Sequence, residues 1–312
     1  MKFKWIVLTF MITIATVLAG CEPLLVLDPK GPQAETTANV IWISIITMAV
    51  IVIVVIAMLV NMLVKYRASK QPVDYEPPHI EGNPIVEGII VGIPILIVAF
   101  LSVVSVMSTY AVEGTPEGYE EQEPLVIYAS SSNWKWHFSY PEQDIETVNY
   151  LFIPTNQAIE FRLYSHGTIS SFWIPQLAGQ KYAMADMVNT LNVVAEEPGE
   201  YVGRNANFNG EGFAENTFNV TAMPHDEFDT WIEEIHETAD PLTEEKFTEL
   251  LEPGHLGLMT FTGTHQDFKP APEGENGGHD HGAPKENDTE SDSDGNSHDE
   301  HSESEETDHS NH

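Results

Sequence analysis

Two uncharged apolar runs, Val40 to Val64 and Gly88 to Val112, constrain this chain more than anything else in it. Each is about 25 residues, and at about 1.5 Å of rise per residue such a helix reaches roughly 37 Å, enough to cross a hydrocarbon core with some tilt. Both runs are apolar on every side instead of along one stripe, as lipid-facing helices are and amphipathic core helices are not. A transmembrane hairpin is therefore expected. Lys65, Arg67 and Lys70 follow the first run, whereas the opposite flanks offer Lys30 and then no Lys or Arg until Lys135. This asymmetry predicts a cytoplasmic connecting loop. The N-terminal piece and the roughly 200 residues after Val112 then lie outside the cytoplasm, with Trp42 and Tyr110 as aromatic anchors at the outer interface.

The formal net charge is −35, unevenly spread: from Glu273 onward there are 14 acidic residues against the single base Lys285. An acidic surface of this kind argues against nucleic acid as a partner. Residues 1–20 read as a signal peptide, with Lys2 and Lys4, an apolar core from Trp5 to Leu18, and Ala19-Gly20 ahead of Cys21. Leu18-Ala19-Gly20-Cys21 resembles a bacterial lipoprotein box, which would leave Cys21 as a lipid-modified N-terminus. It would also explain why the only cysteine of an exported chain lacks a disulfide partner.

Residues 21–39 are then an extracytoplasmic segment, 40–64 the first span, 65–87 a polar loop broken by Pro77-Pro78, and 88–112 the second span. Short strands are expected at Leu125–Ala129, Trp134–Tyr140, Val148–Ile153, Ala158–Tyr164, Thr190–Ala195 and Thr217–Met223. Turn residues such as Pro141, Pro154-Thr155-Asn156 and Pro198-Gly199 separate them, a pattern that predicts a small antiparallel sandwich. Residues 224–269 read as a helical extension. Its first helix shows Phe228, Trp231, Ile232 and Ile235 on one face, and its second starts at Pro241-Leu242-Thr243-Glu244 and ends at Pro253-Gly254. Residues 270–312, rich in Gly, Ser, Asp, Glu and His, cannot bury a core and are expected to be disordered.

Ser171-Phe172-Trp173-Ile174-Pro175, Trp134-Lys135-Trp136 and the spacing of Asn83, Glu87 and Pro94 give three motifs in one order. In these motifs and its topology the chain resembles subunit II of the haem-copper respiratory oxidases. The resemblance covers about Val40 to Met223 and implies a cupredoxin-like domain over 113–223. In the cytochrome c oxidase branch that domain holds a two-copper centre built from His, Cys, Glu and Met ligands, soft donors that suit copper. Here the corresponding positions are Ser170, Asn205, Asn207, Asn209, Phe213 and Asn216, so the copper ligands are lost. His166, four residues before Ser170, is a single imidazole in their place, and Trp134 is expected to pack in the core.

Pro175 through Met187 and the helical extension resemble the quinol oxidase branch, which lacks the copper centre. The resemblance implies a subunit of a complex that oxidises membrane quinol, reduces oxygen to water and translocates protons. It implies that this subunit supports electron transfer from quinol to subunit I without a copper centre of its own and binds no cofactor, with haems and copper in subunit I. Expected partners are subunit I and the other oxidase subunits, membrane lipid and quinol, and not cytochrome c. Glu87 matches the family glutamate at the mouth of a proton-uptake channel, and its structural alternative is a carboxylate that complements a helix dipole. A second functional class stays open: a membrane-anchored lipoprotein that binds zinc or nickel through His279, His281, His298, His301, His309 and His312.

Overall fold

The computed structural model describes residues 24–67 and 82–273; the expected signal peptide and Cys21, the Pro77-Pro78 break and the His-rich tail lie outside the described residues. Two helices, α1 (Pro32–Lys65) and α2 (Pro84–Glu113), are long and apolar enough to cross a membrane, and they pack against each other. Each begins with proline at its first helical position, where the missing N–H removes no helical hydrogen bond. Asn83 caps α2, its Oδ1 accepting from the N–H groups of Ile85 and Val86 at 3.0 and 3.4 Å. Ser44 and Thr47, within α1, donate to the carbonyls of Val40 and Ile43, so their hydroxyls are satisfied without water.

Helix α1 starts at Pro32, well before the apolar run, because its first turns are fastened to the β domain. Lys30 donates its N–H to Gln176 O at 2.7 Å, Lys30 O accepts from Glu196 N–H at 3.0 Å, and the Gln33 amide donates to Asn192 O at 3.0 Å. Ala34 and Ala38, on the same first turns, are buried as well. Gly31 lies so close to strand backbone that a Cβ there would stand 2.1 Å from Val194 O. At the other end of the hairpin, Asn192 Nδ2 donates to Glu113 O at 3.3 Å. The 21–39 segment is thus part of the domain's surface where it is described.

The β domain is a sandwich of two sheets. One has six strands in the order β11-β3-β2-β1-β5-β8, and the other five in the order β4-β10-β9-β6-β7. The strands are β1 (Leu125–Ser132), β2 (Lys135–Tyr140), β3 (Ile145–Val148), β4 (Tyr150–Pro154), β5 (Ile159–Ser165) and β6 (Ser170–Trp173). They continue with β7 (Lys181–Ala183), β8 (Asn189–Val193), β9 (Gly199–Asn205), β10 (Thr217–Met223) and β11 (Met259–Thr262). The sheets are mixed, not antiparallel throughout, since β1 runs parallel to β5 and β4 parallel to β10. The single strand expected over Val148–Ile153 is two strands in different sheets. Asn149, at φ 61°, turns the chain from one sheet to the other, while its Oδ1 accepts from Trp136 N–H and its Nδ2 donates to Leu256 O.

Between the sheets, Phe172 meets Trp136, Phe138, Phe161 and Phe218, with centroids 5.0 Å apart and rings nearly parallel for the Phe172–Phe218 pair. Helix α3 (His225–Thr238) adds Phe228 and Trp231 to this core. The extension is not helical throughout: after α4 (Glu244–Leu250), β11 joins the six-stranded sheet beside β3. Together α4 and β11 build a second small core of Val148, Leu242, Phe247, Leu250 and Phe261. Thr243 caps α4 by accepting from Lys246 N–H at 3.1 Å.

Candidate functional site

The positions expected from the resemblance to replace copper ligands lie at the start of β6 (Ser170), at the end of β9 (Asn205) and in the loop between β9 and β10 (Asn207, Asn209, Phe213, Asn216). Asn205 closes β9, where its Oδ1 accepts from the N–H groups of Ser171 and Asn207 at 2.8 and 2.9 Å. Asn209 Nδ2 donates to Ser170 Oγ at 3.1 Å, and Asn207 Nδ2 to Ile169 O at the same distance. Asn216 enters through its carbonyl, which accepts from Asn205 N–H at 2.9 Å, and Phe213 turns outward to pack on the exposed ring of Phe208. Hydroxyl, neutral amides and a phenyl ring form a donor set that does not fit copper, which is held by thiolate, imidazole and thioether. The amides instead hold the loop in shape. The amide of Asn216, Asn205 Nδ2 and Asn209 Oδ1 are buried without a hydrogen-bond partner among the described residues.

Trp134 is not in the core. It sits half-buried in a left-handed turn at φ 71°, with its Nε1–H donated to Asn209 O at 3.3 Å. Its indole lies against the loop backbone so closely that a Cβ on Gly212 would stand 2.5 Å from the ring. Asn133 and Lys135 on either side donate to the carbonyls of Leu251 and Glu252, tying the same turn to the end of α4. Trp136, the second tryptophan of the motif, is the one that fills the core.

Glu87 stands in the first turn of α2, exposed, with its carboxylate folded back toward Gly82, where a Cβ would lie 2.8 Å from Oε1. This is where a helix dipole favours an anion, while its exposure leaves it open to a proton donor. The geometry accommodates both readings.

His166 is not isolated. Phe247 of α4 inserts among three imidazoles, stacked on His265 at 4.3 Å between centroids and edge-on to His137 and His166 at 5.3 and 5.4 Å. His265 and Glu146 are both fully buried, with His265 Nδ1 2.6 Å from Glu146 Oε1. Ser139 Oγ–H and the His265 N–H donate to Glu146 Oε2 at 2.7 and 3.1 Å. The other His265 nitrogen meets Tyr164 OH at 2.5 Å, and Gln266 donates to the same phenol at 2.6 Å. Burial alone would raise the Glu146 pKa, but the charge and hydrogen bond of His265 outweigh it and hold the carboxyl below its usual range. Burial depresses His137 and His166 to about 3 each, so both are neutral at ordinary pH. The alternation of Trp136, Phe138 and Tyr140 with Lys135, His137 and Ser139 reads as a half-solvated strand. The signal that both faces are covered is the apolar stripe of the short α4, which needs a surface to rest on. Among the described residues no three His, Cys, Asp or Glu side chains are grouped to hold a metal.

No family model matches the chain. It is 43% identical over 252 residues to quinol oxidase subunit 2 of Bacillus cereus, an alignment covering 80% of this chain and 87% of that protein. It is 46% identical over 260 residues to quinol oxidase subunit 2 of Bacillus subtilis, covering 83% and 81%. Among solved structures, the periplasmic domain of cytochrome oxidase subunit II from Bradyrhizobium japonicum aligns at 20% identity with a TM-score of 0.35, over 36% of this chain and 94% of that one. On the identity and the length shared with the two Bacillus proteins, the chain belongs to the quinol oxidase subunit 2 family.

Proposed function

We propose that this chain is the subunit of a terminal quinol oxidase that places a copper-free β domain on the extracytoplasmic side, over a catalytic subunit that carries the haems and copper. The complex takes electrons and protons from membrane quinol, reduces oxygen to water and moves protons across the membrane. The observation that carries this reading is the amide-filled loop, on a chain more than 40% identical to quinol oxidase subunits over four-fifths of its length. Without thiolates the loop offers no relay to a soluble cytochrome, so the chain's part is to assemble and shape the complex. The test is oxygen consumption by the complex purified through this chain. Turnover with a reduced quinol and none with reduced cytochrome c is expected, and the reverse would overturn the assignment. Metal analysis should find no copper held by this subunit.

Cys21 is proposed as the lipidated N-terminus, to be checked by the intact mass of the mature chain. Glu87 is proposed to accept protons from the cytoplasm. Its exposed position in the first turn of α2 supports this, since a carboxylate near hydrocarbon is costly to keep unless it is used. Glu87→Gln cannot titrate, so quinol oxidation per haem should fall although the complex assembles. A purely structural Glu87 predicts a loss of well under about 1 kcal/mol of stability and an unchanged rate at every pH.

A further inference from the structure

We propose that His137, His166 and His265, gathered round Phe247, form an acid-operated latch that holds residues 241–272 down on the six-stranded sheet and releases them when the surrounding medium acidifies. The held segment is lightly packed. Its own core is five residues, Val148, Leu242, Phe247, Leu250 and Phe261, whereas the opposite face of the same sheet shares a core several times larger. Helix α4 is only seven residues long and cannot stand alone. Beside the ties of Asn133, Lys135 and Asn149 to the carbonyls of Leu251, Glu252 and Leu256 and the pairing of β11 with β3, one side-chain network meets at His265: Glu146 to His265, His265 to Tyr164, and Tyr164 to Gln266.

The charges around this place make it respond to acid in one direction. His137 faces Ser132 on β1 at 2.7 Å, Glu146 on β3, Lys135 on its own strand, and His166 and His265 from the two segments that follow β5 and β11. His166 faces His265 and Lys269. Protonating either histidine adds a positive charge to a site already flanked by two lysines, and the one carboxylate present, Glu146, is engaged by His265 and Ser139. His137 Nδ1 and His166 Nε2 are buried and have no acceptor among the described residues for an added proton. Released, the same imidazoles reach water and take the proton freely. A cleft of about 400 Å3, lined by Tyr164, Ser165, His166, Gly167, Ala185 and Lys269, lies at the edge of the latch and gives hydronium a way in.

Below about pH 6.5, each histidine that charges only in the released state raises the opening equilibrium about tenfold per pH unit. With two such groups the rise is about a hundredfold. The test is hydrogen exchange, corrected for intrinsic rates, on the full chain in its purified complex between about pH 7.5 and 5. Peptides within 241–272 should lose protection with that slope while β1, β2 and β5 keep theirs. In the His137→Gln, His166→Gln double variant the slope should vanish and protection should persist. If the double variant does not assemble, His166→Gln alone, at the cleft edge, should reduce the slope to about tenfold. An unchanged slope in the assembled variant, or loss of protection in the sheet in step with 241–272, would overturn the latch.

Discussion

Single side chains decide the character of the loop between β9 and β10. Asn205, expected from the resemblance at a copper-ligand position, is held through its oxygen alone: Oδ1 accepts two backbone N–H groups, from Ser171 on β6 and from Asn207 in the loop, while Nδ2 has no partner among the described residues. Asn205→Ala would leave a buried donor, Ser171 N–H, and a part-buried one, Asn207 N–H, unsatisfied, at a cost of about 1–3 kcal/mol. The expected outcome is a lower denaturation midpoint of the β domain with quinol turnover of the assembled complex retained, measured on the same preparation. Trp134 shows the limit of reading a motif residue by residue. Its neighbours in sequence suggest a core strand, whereas its positive φ, its bond to Asn209 and the glycines beneath it make it a clamp on the loop. A motif fixes which residue is present; which side of the turn it faces depends on the loop it meets.

Between elements, the join of α1 to the β domain stands out. The hydropathy of the run from Val40 gives the part of α1 that lipid can cover, but not the turns before it, where Gly31 and Gln33 are fastened to the sandwich. Gly31→Ala would push a methyl into Val194 O, a contact of 2.1 Å that must open. Overpacking of this kind costs about 1–3 kcal/mol. The variant should therefore increase protease cleavage between residues 24 and 40 in membranes while both spans stay inserted, as read by fragment mapping. Thr243 offers a milder test at the other end of the domain. Its cap on α4 is worth about 1 kcal/mol, so Thr243→Ala should raise hydrogen exchange in 244–250 and leave β9 and β10 unchanged.

For the whole molecule, pH is the variable that the structure makes most telling. His137 and His166 have folded-state pKa values near 3, below the usual 6.5 of the unfolded chain. The unfolded state therefore binds more protons, and stability falls as pH drops from about 6.5 toward 3, by about 1.4 kcal/mol per pH unit for each histidine. Glu146, with its lowered pKa, gives stability above the usual carboxylate range that is lost only at still lower pH. Denaturant titrations of the full chain in detergent at stepped pH should show this decline beginning near neutrality. A curve flat down to the carboxylate range would refute the buried-neutral assignment. The sequence by itself determined the two long apolar helices, because lipid requires long uncharged helices whatever their neighbours, and it determined the strand-rich domain that follows them. It also placed β1, β2, β4, β5, β8 and β10, since alternation and turn residues are local, but not β3, β6, β7, β9 and β11. Only the tertiary structure decided the mixed sheet order, the crossover at Asn149, the return of β11 to the sheet and the gathering of His137, His166, His265 and Glu146. Those depend on contacts between residues distant in sequence, some of them, as His265 is from Glu146, more than 100 positions apart, and local periodicity carries no record of what will cover a strand's second face.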